Sequence, residues 1–138
     1  MPDDHDTSQP RRPKVLEQKW STEVIEAGWV GIPSVMMEFA PYLGLDPVDF
    51  MIIAIIADHW WAPDDKAYPS KALLASRLGV TPRTVQRRVE AMERRGLIRR
   101  VKRRTASGSS GSNAYDLAGL REALRRWAPH SRRHKREA

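Results

Sequence analysis

The 138-residue sequence predicts a mainly α-helical fold that carries one small β-hairpin, with extra helices before and after a central unit. Three observations predict it. Over 70–96, two short amphipathic stretches follow each other closely, each opened by a hydroxyl residue and closed by a glycine. Over 97–117, two short strand-like stretches enclose a Gly/Ser loop. The stretches 47–61 and 118–128 carry apolar residues either almost continuously or at helical spacing.

The elements follow in order. Residues 1–13 are expected to be a disordered tail, since they hold three prolines and no large apolar residue besides Met1. An N-terminal helical extension is expected over 14–45: a weakly patterned helix at 15–27, an extended segment at 28–32 (GWVGI), and a short helix at 33–42 closed by Pro41 and Gly44. The central unit is expected over 46–117. Asp46 as N-cap and Pro47 in the first turn open a helix over 47–61. That helix is apolar on nearly every side, so the central unit covers part of it and the N-terminal segment or a second subunit covers the rest. Trp60 and Trp61 cannot both face one core, so one is expected inside and the other against the 62–68 loop.

Ser70 suits the N-cap of a helix over 70–78 with Leu74, Ala75 and Leu78 on its apolar side, and Gly79 suits its end. Thr81 and Pro82 open the next helix, 82–95, whose apolar stripe is Val85, Val89 and Met92 and whose end is Gly96. At about 100° per residue, Arg83, Arg87 and Arg94 point nearly opposite that stripe, with Glu90 among them and Thr84 and Gln86 on its flanks. The wing over 97–117 begins apolar and turns basic (LIRRVKRR), passes through TASGSSGS and returns with Tyr115 and Leu117 two apart. A helix over 118–128 aligns Leu120, Ala123, Leu124 and Trp127, and Pro129 ends it before a basic, disordered tail at 129–138.

The string PSKALLASRLGVTPRTVQRRVEAMERRGLIRR, followed by SNAYDL, resembles the winged helix-turn-helix domains of bacterial transcription regulators and of plasmid and phage replication initiators. The resemblance covers 68–117. It implies that the 82–95 helix enters the major groove of double-stranded DNA while the wing touches neighbouring backbone or minor groove. Resemblance and helical geometry together nominate Thr81, Arg83, Thr84, Gln86, Arg87 and Arg94 on the recognition helix. They nominate Arg99, Lys102, Arg103, Arg104 and Ser107 on the wing, and Ser70 and Lys71 on the first helix of the motif.

Charge argues for the same partner. Residues 1–65 have a net charge of −8 and residues 66–138 a net of +15, and 83–104 alone hold ten Lys/Arg against two acids. Such a surface attracts phosphate through counterion release, and arginine forks onto guanine O6 and N7. A membrane partner is disfavoured because the basic helix has only a narrow apolar stripe, which the core consumes. Single-stranded nucleic acid is disfavoured because 83–104 has no aromatic residue on which bases could stack.

Without cysteine there is no disulfide framework, thiolate nucleophile or Cys-based zinc site, and the longest apolar run, FMIIAIIA, is too short to span a bilayer. His130 and His134 lack a third metal ligand nearby, Asp58, Asp64 and Asp65 suit a helix end and a turn, and SGSSG precedes a strand rather than a helix. No enzyme, cofactor or metal is therefore expected, the sequence points to no particular small-molecule effector, and the protein is expected in the cytoplasm, nucleoid-associated, in a bacterium or encoded by a phage or plasmid. The sequence leaves three functional readings: a sequence-specific transcription regulator, an initiator of replication or plasmid and phage maintenance, and a protein-interaction module. The absence of a visible second domain favours the first over the second, and the basic helix disfavours the third. A homodimer is expected, paired through the Leu120, Ala123, Leu124 and Trp127 stripe, the 50–61 helix, or both.

Overall fold

The computed structural model describes residues 14–60, 67, 69–102 and 114–132. Its helices are α1 (Lys14–Trp20), α2 (Thr22–Glu26), α3 (Ser34–Phe39), α4 (Pro47–Asp58), α5 (Lys71–Leu78), α6 (Pro82–Arg94) and α7 (Ala118–Trp127). Strands β1 (Arg99–Val101) and β2 (Ala114–Asp116) lie between α6 and α7. Single 3-10 turns follow α3 at Ala40–Leu43 and α7 at Ala128–His130.

Helix α4 is the hub, touching α5 and α6 and burying Ile52, Ile53, Ile55 and Ile56. Its start is a reciprocal capping box. The Asp46 carboxylate accepts the Asp49 N–H at 2.9 Å, and the Asp49 carboxylate accepts the Asp46 N–H at 3.2 Å. The helix stops at Asp58, short of the expected end at 61, because His59 turns back on it. The His59 N–H donates to Ile56 O at 3.0 Å, and its ring Nδ1 donates to Ile55 O at 2.9 Å. Trp60 is half-buried, and Trp61 lies outside the described residues.

The two helices of the motif are set by local chemistry. Ser70 Oγ accepts the Leu73 N–H at 3.0 Å and Thr81 Oγ1 accepts the Thr84 N–H at 3.2 Å, so both helices begin at side-chain caps. Val85, Val89 and Met92 are fully buried against a core that includes Leu74, Ala75, Ile52 and Ile56. The hairpin is antiparallel, pairing Arg99 with Asp116, Arg100 with Tyr115 and Val101 with Ala114. Ala67 adds a bridge on the far side of β2, accepting the Tyr115 N–H at 2.9 Å.

Helix α7 returns to the turn that ends α6, with the Leu120 N–H donating to Leu97 O at 2.9 Å. Gly119 permits the approach: a Cβ there would stand 1.9 Å from Gly96 O. Leu120 and Ala123 are buried, and Trp127 stacks on Phe39 with ring centroids 4.9 Å apart and lies 5.2 Å from Tyr42. The stripe expected to form a dimer interface is therefore largely spent inside the chain, as is the isoleucine-rich part of α4. A cavity of about 380 Å³ remains where 29–33, α4 and α7 meet, walled by Trp29, Ile32, Ile53, Trp60 and Leu124.

The ends depart most from expectation. The single helix expected over 15–27 is two, broken at Ser21, whose φ of 83° no helix accepts and whose Oγ accepts the Val24 N–H at 3.3 Å to start α2. The helix expected over 33–42 is α3 followed by the 3-10 turn, because Pro41 has no N–H to continue an α-helical ladder. The tail expected to be disordered from 129 is held through 132. Ser131 is buried and its Oγ donates to Glu38 Oε2 at 2.9 Å, while the Arg132 N–H donates to Glu38 Oε1 at 2.9 Å. The expected tail at 1–13 and the positions 133–138, with His134, lie outside the described residues.

Candidate nucleic-acid interface

The surface to be explained is α6, where five arginines lie within fourteen residues of a helix whose apolar stripe is already buried. Helical geometry divides them into two sets. Arg83, Arg87 and Arg94 are exposed and form no ion pair among the described residues. Arg88 and Arg95 turn toward the start of α4: Arg88 Nη1 donates to Asp46 Oδ2 and lies 3.7 Å from Asp49 Oδ1, and Arg95 Nη1 donates to Gly44 O at 2.6 Å.

Around the exposed set, polar side chains are linked across the motif. Lys71 Nζ donates to Gln86 Oε1 at 3.2 Å, and Gln86 Nε2 donates to Glu90 Oε1 at 3.2 Å. Lys71, Pro82, Arg83, Gln86, Arg87 and Glu90 line a shallow groove between α5 and α6. Five of these six side chains are polar or charged, and three are cationic, so the groove suits an anion better than an apolar ligand. Ser70 and Thr81 use their oxygens as cap acceptors, and Thr81 and Thr84 hydroxyls lie 3.1 Å apart. Ser70 keeps its O–H as a donor, and of the Thr81–Thr84 pair one hydroxyl donates to the other and the second keeps its O–H.

The wing joins α6 through Glu93. Its carboxylate accepts the Arg100 backbone N–H at 3.2 Å and Nε at 2.8 Å, and Arg100 Nη2 is 2.6 Å from Glu93 Oε1. Burial pushes the Glu93 pKa up, but the hydrogen bonds and charge of Arg100 outweigh it and leave the carboxyl below its ordinary value. Arg99 forms a 3.1 Å pair with Asp116 across the hairpin while its side chain stays 72% exposed. Lys102 is exposed beyond β1. Arg103, Arg104 and Ser107 lie outside the described residues.

The structure thus brings Lys71, Arg83, Gln86 and Arg87 to one groove, with Thr81 and Thr84 at the helix start. Arg94 stands about 16 Å farther along the axis from Arg83, at about 1.5 Å rise per residue. The sequence reading missed the role of Arg88 and Arg95, which it counted only as positive charge. It also missed Asp49 as the second half of the capping box, although the D-x-x-D spacing of Asp46 and Asp49 was there to be read.

Residues 43–98 match the family described as "Helix-turn-helix domain". The chain is also similar to a solved structure, the multiple antibiotic-resistance repressor (MarR) from Listeria monocytogenes 4b F2365, at 19% identity and a TM-score of 0.44, over 90% of this chain and 73% of that one. Among curated proteins nothing matches. The matched span begins at the last residue of the 3-10 turn, contains α4, α5 and α6, and ends one residue before β1. Residues 43–98 are therefore a helix-turn-helix domain, and the antiparallel hairpin that follows makes it a winged one.

Proposed function

We infer that this protein binds specific sequences of double-stranded DNA and regulates transcription, with α6 in the major groove and the basic wing on the adjoining backbone. The observation that carries the reading is the exposed set Arg83, Arg87 and Arg94. Among the described residues these side chains form no ion pair, on the solvent side of a capped helix, while neighbouring arginines of the same domain are paired. An unpaired guanidinium at this place is available to fork onto guanine or phosphate. Lys71, Gln86 and the Thr81–Thr84 hydroxyl pair supply donors on either flank, and Arg99, Lys102, Arg103, Arg104 and Ser107 supply the wing contacts. The protein pairs as a symmetric dimer through apolar side chains left exposed outside the motif, among them Val15, Trp20 and Val24 of the N-terminal helices.

Selection from a randomised duplex pool tests both parts. The expected consensus is an inverted repeat with half-sites about one helical turn, roughly 34–36 Å, apart. Arg83→Ala and Arg87→Ala are each expected to weaken binding to the selected duplex by about 1–3 kcal/mol, with a smaller loss on the unselected pool. Equal loss on both duplexes would reduce these residues to phosphate contacts. A single asymmetric half-site would remove the dimer, and no enrichment would remove sequence-specific binding.

A further inference from the structure

We propose that Arg88 and Arg95 are positioning residues that anchor the recognition helix to the 44–49 corner, so that the Asp46–Asp49 capping box determines the angle at which α6 meets DNA. The proposal rests on the DNA-binding reading above and goes beyond it by assigning two of the five conspicuous α6 arginines to the protein rather than to the nucleic acid.

The two residues are seven apart, which on a helix returns to nearly the same face about 10 Å farther along. Each meets a fixed acceptor on one short segment: Arg88 the Asp46 carboxylate, Arg95 the Gly44 carbonyl at 2.6 Å. Gly44 is shaped for this contact, with φ +72° and no side chain, where a Cβ would stand 2.9 Å from Arg95 Cζ. Asp46 is itself immobilised, because its other oxygen accepts the Asp49 N–H at 2.9 Å. Behind it sits Asp49, buried, with Oδ1 lacking a hydrogen-bond partner and 3.7 Å from Arg88 Nη1.

The buried stripe of α6 consists of Val85, Val89 and Met92, whose packing is non-directional and resists rotation or tilt only through shape. Two charged or bifunctional hydrogen bonds two turns apart are directional and hold both roll and tilt. The Arg88 and Asp46 side chains are 36% and 42% exposed, so solvent screens the pair and its effect on stability is small. Orientation is where it acts. Arg87 and Arg88 are adjacent, yet about 100° of helical rotation gives one to the groove and the other to the frame.

The test uses the full-length protein, a duplex selected from a randomised pool, the unselected pool, and the variants Arg88→Ala, Asp46→Asn and Lys102→Ala. Asn caps a helix as well as Asp, so Asp46→Asn retains α4 and removes only the charged partner of Arg88. Expected for both Arg88→Ala and Asp46→Asn is a fall of about tenfold in the ratio of selected to unselected affinity. The salt slope of log affinity stays unchanged for these two, whereas Lys102→Ala, on the backbone-contacting wing, lowers it by about one. If Asp46→Asn tightens binding to both duplexes equally, Asp46 merely repels phosphate and the proposal is overturned. It is equally overturned if Arg88→Ala lowers the salt slope as Lys102→Ala does, since Arg88 then touches phosphate. Failure of the wild type to enrich any duplex would instead overturn the DNA-binding reading together with this one.

Discussion

Neighbouring charged residues in this domain have different tasks, and the partner each side chain meets is what separates them. Glu93 illustrates the point, since it lies one residue before Arg94 but faces the wing and holds Arg100 by its backbone and guanidinium. Burial raises its pKa and the Arg100 hydrogen bonds more than compensate, so the folded value lies below the unfolded one. The stabilisation is therefore present above the ordinary glutamate value, about 4.3, and is lost as pH falls through the folded value. Replacing Glu93 with Gln is expected to lower the denaturation midpoint near neutral pH, and the gap from wild type is expected to close as the solution is acidified below that value. Urea midpoints measured for both proteins over the acidic range check this. A gap that stays constant with pH would mean that Glu93 contributes through packing alone.

At the scale of elements, the closest contact is the one most sensitive to substitution. Gly119 lets the start of α7 touch the turn after α6, and Gly119→Ala would drive a methyl to 1.9 Å from a backbone oxygen that cannot yield as a side-chain tip would. The expected cost is about 1–3 kcal/mol in thermal or chemical unfolding, as for other overpacked sites. A neutral substitution would show that α7 docks loosely on the domain. Nothing in the sequence around Gly119 marks it as different from any helix glycine, because its role depends on Gly96, far away in the chain. Signals confined to one turn were legible: Ser70, Thr81 and Pro82 opened their helices where capping chemistry requires. The break at Ser21 was not, since a serine at φ 83° is an exception to the rule that reads such positions as glycine. The end of α4 was hidden for another reason. Its apolar run continues to Trp61, whereas the helix is stopped by the His59 ring bonding to Ile55 O.

At the scale of the whole molecule, the acidic N-terminal half and the basic C-terminal half meet at the Asp46–Arg88 contact, which links residues 42 apart in the chain. The exposed arginine set of the candidate site was legible because it needs only helical periodicity and a buried stripe. The anchoring set was not, because the same periodicity cannot say which arginine finds an acid elsewhere in the fold. The apolar stripe of α7 was visible as a stripe, but its target, Phe39 and the core beneath α3, appears only once the chain is folded. This leaves α6 with one face for the core, one for the 44–49 corner and one for a partner. Amide chemical-shift mapping of the labelled protein, titrated with a selected duplex, tests that division directly. The account predicts the largest changes at Thr81, Arg83, Thr84, Gln86 and Arg87, with Lys71 and Lys102 beside them and little change across α1, α2 and α7. Changes concentrated on the N-terminal helices or α7, with the exposed arginine set unmoved, would contradict it.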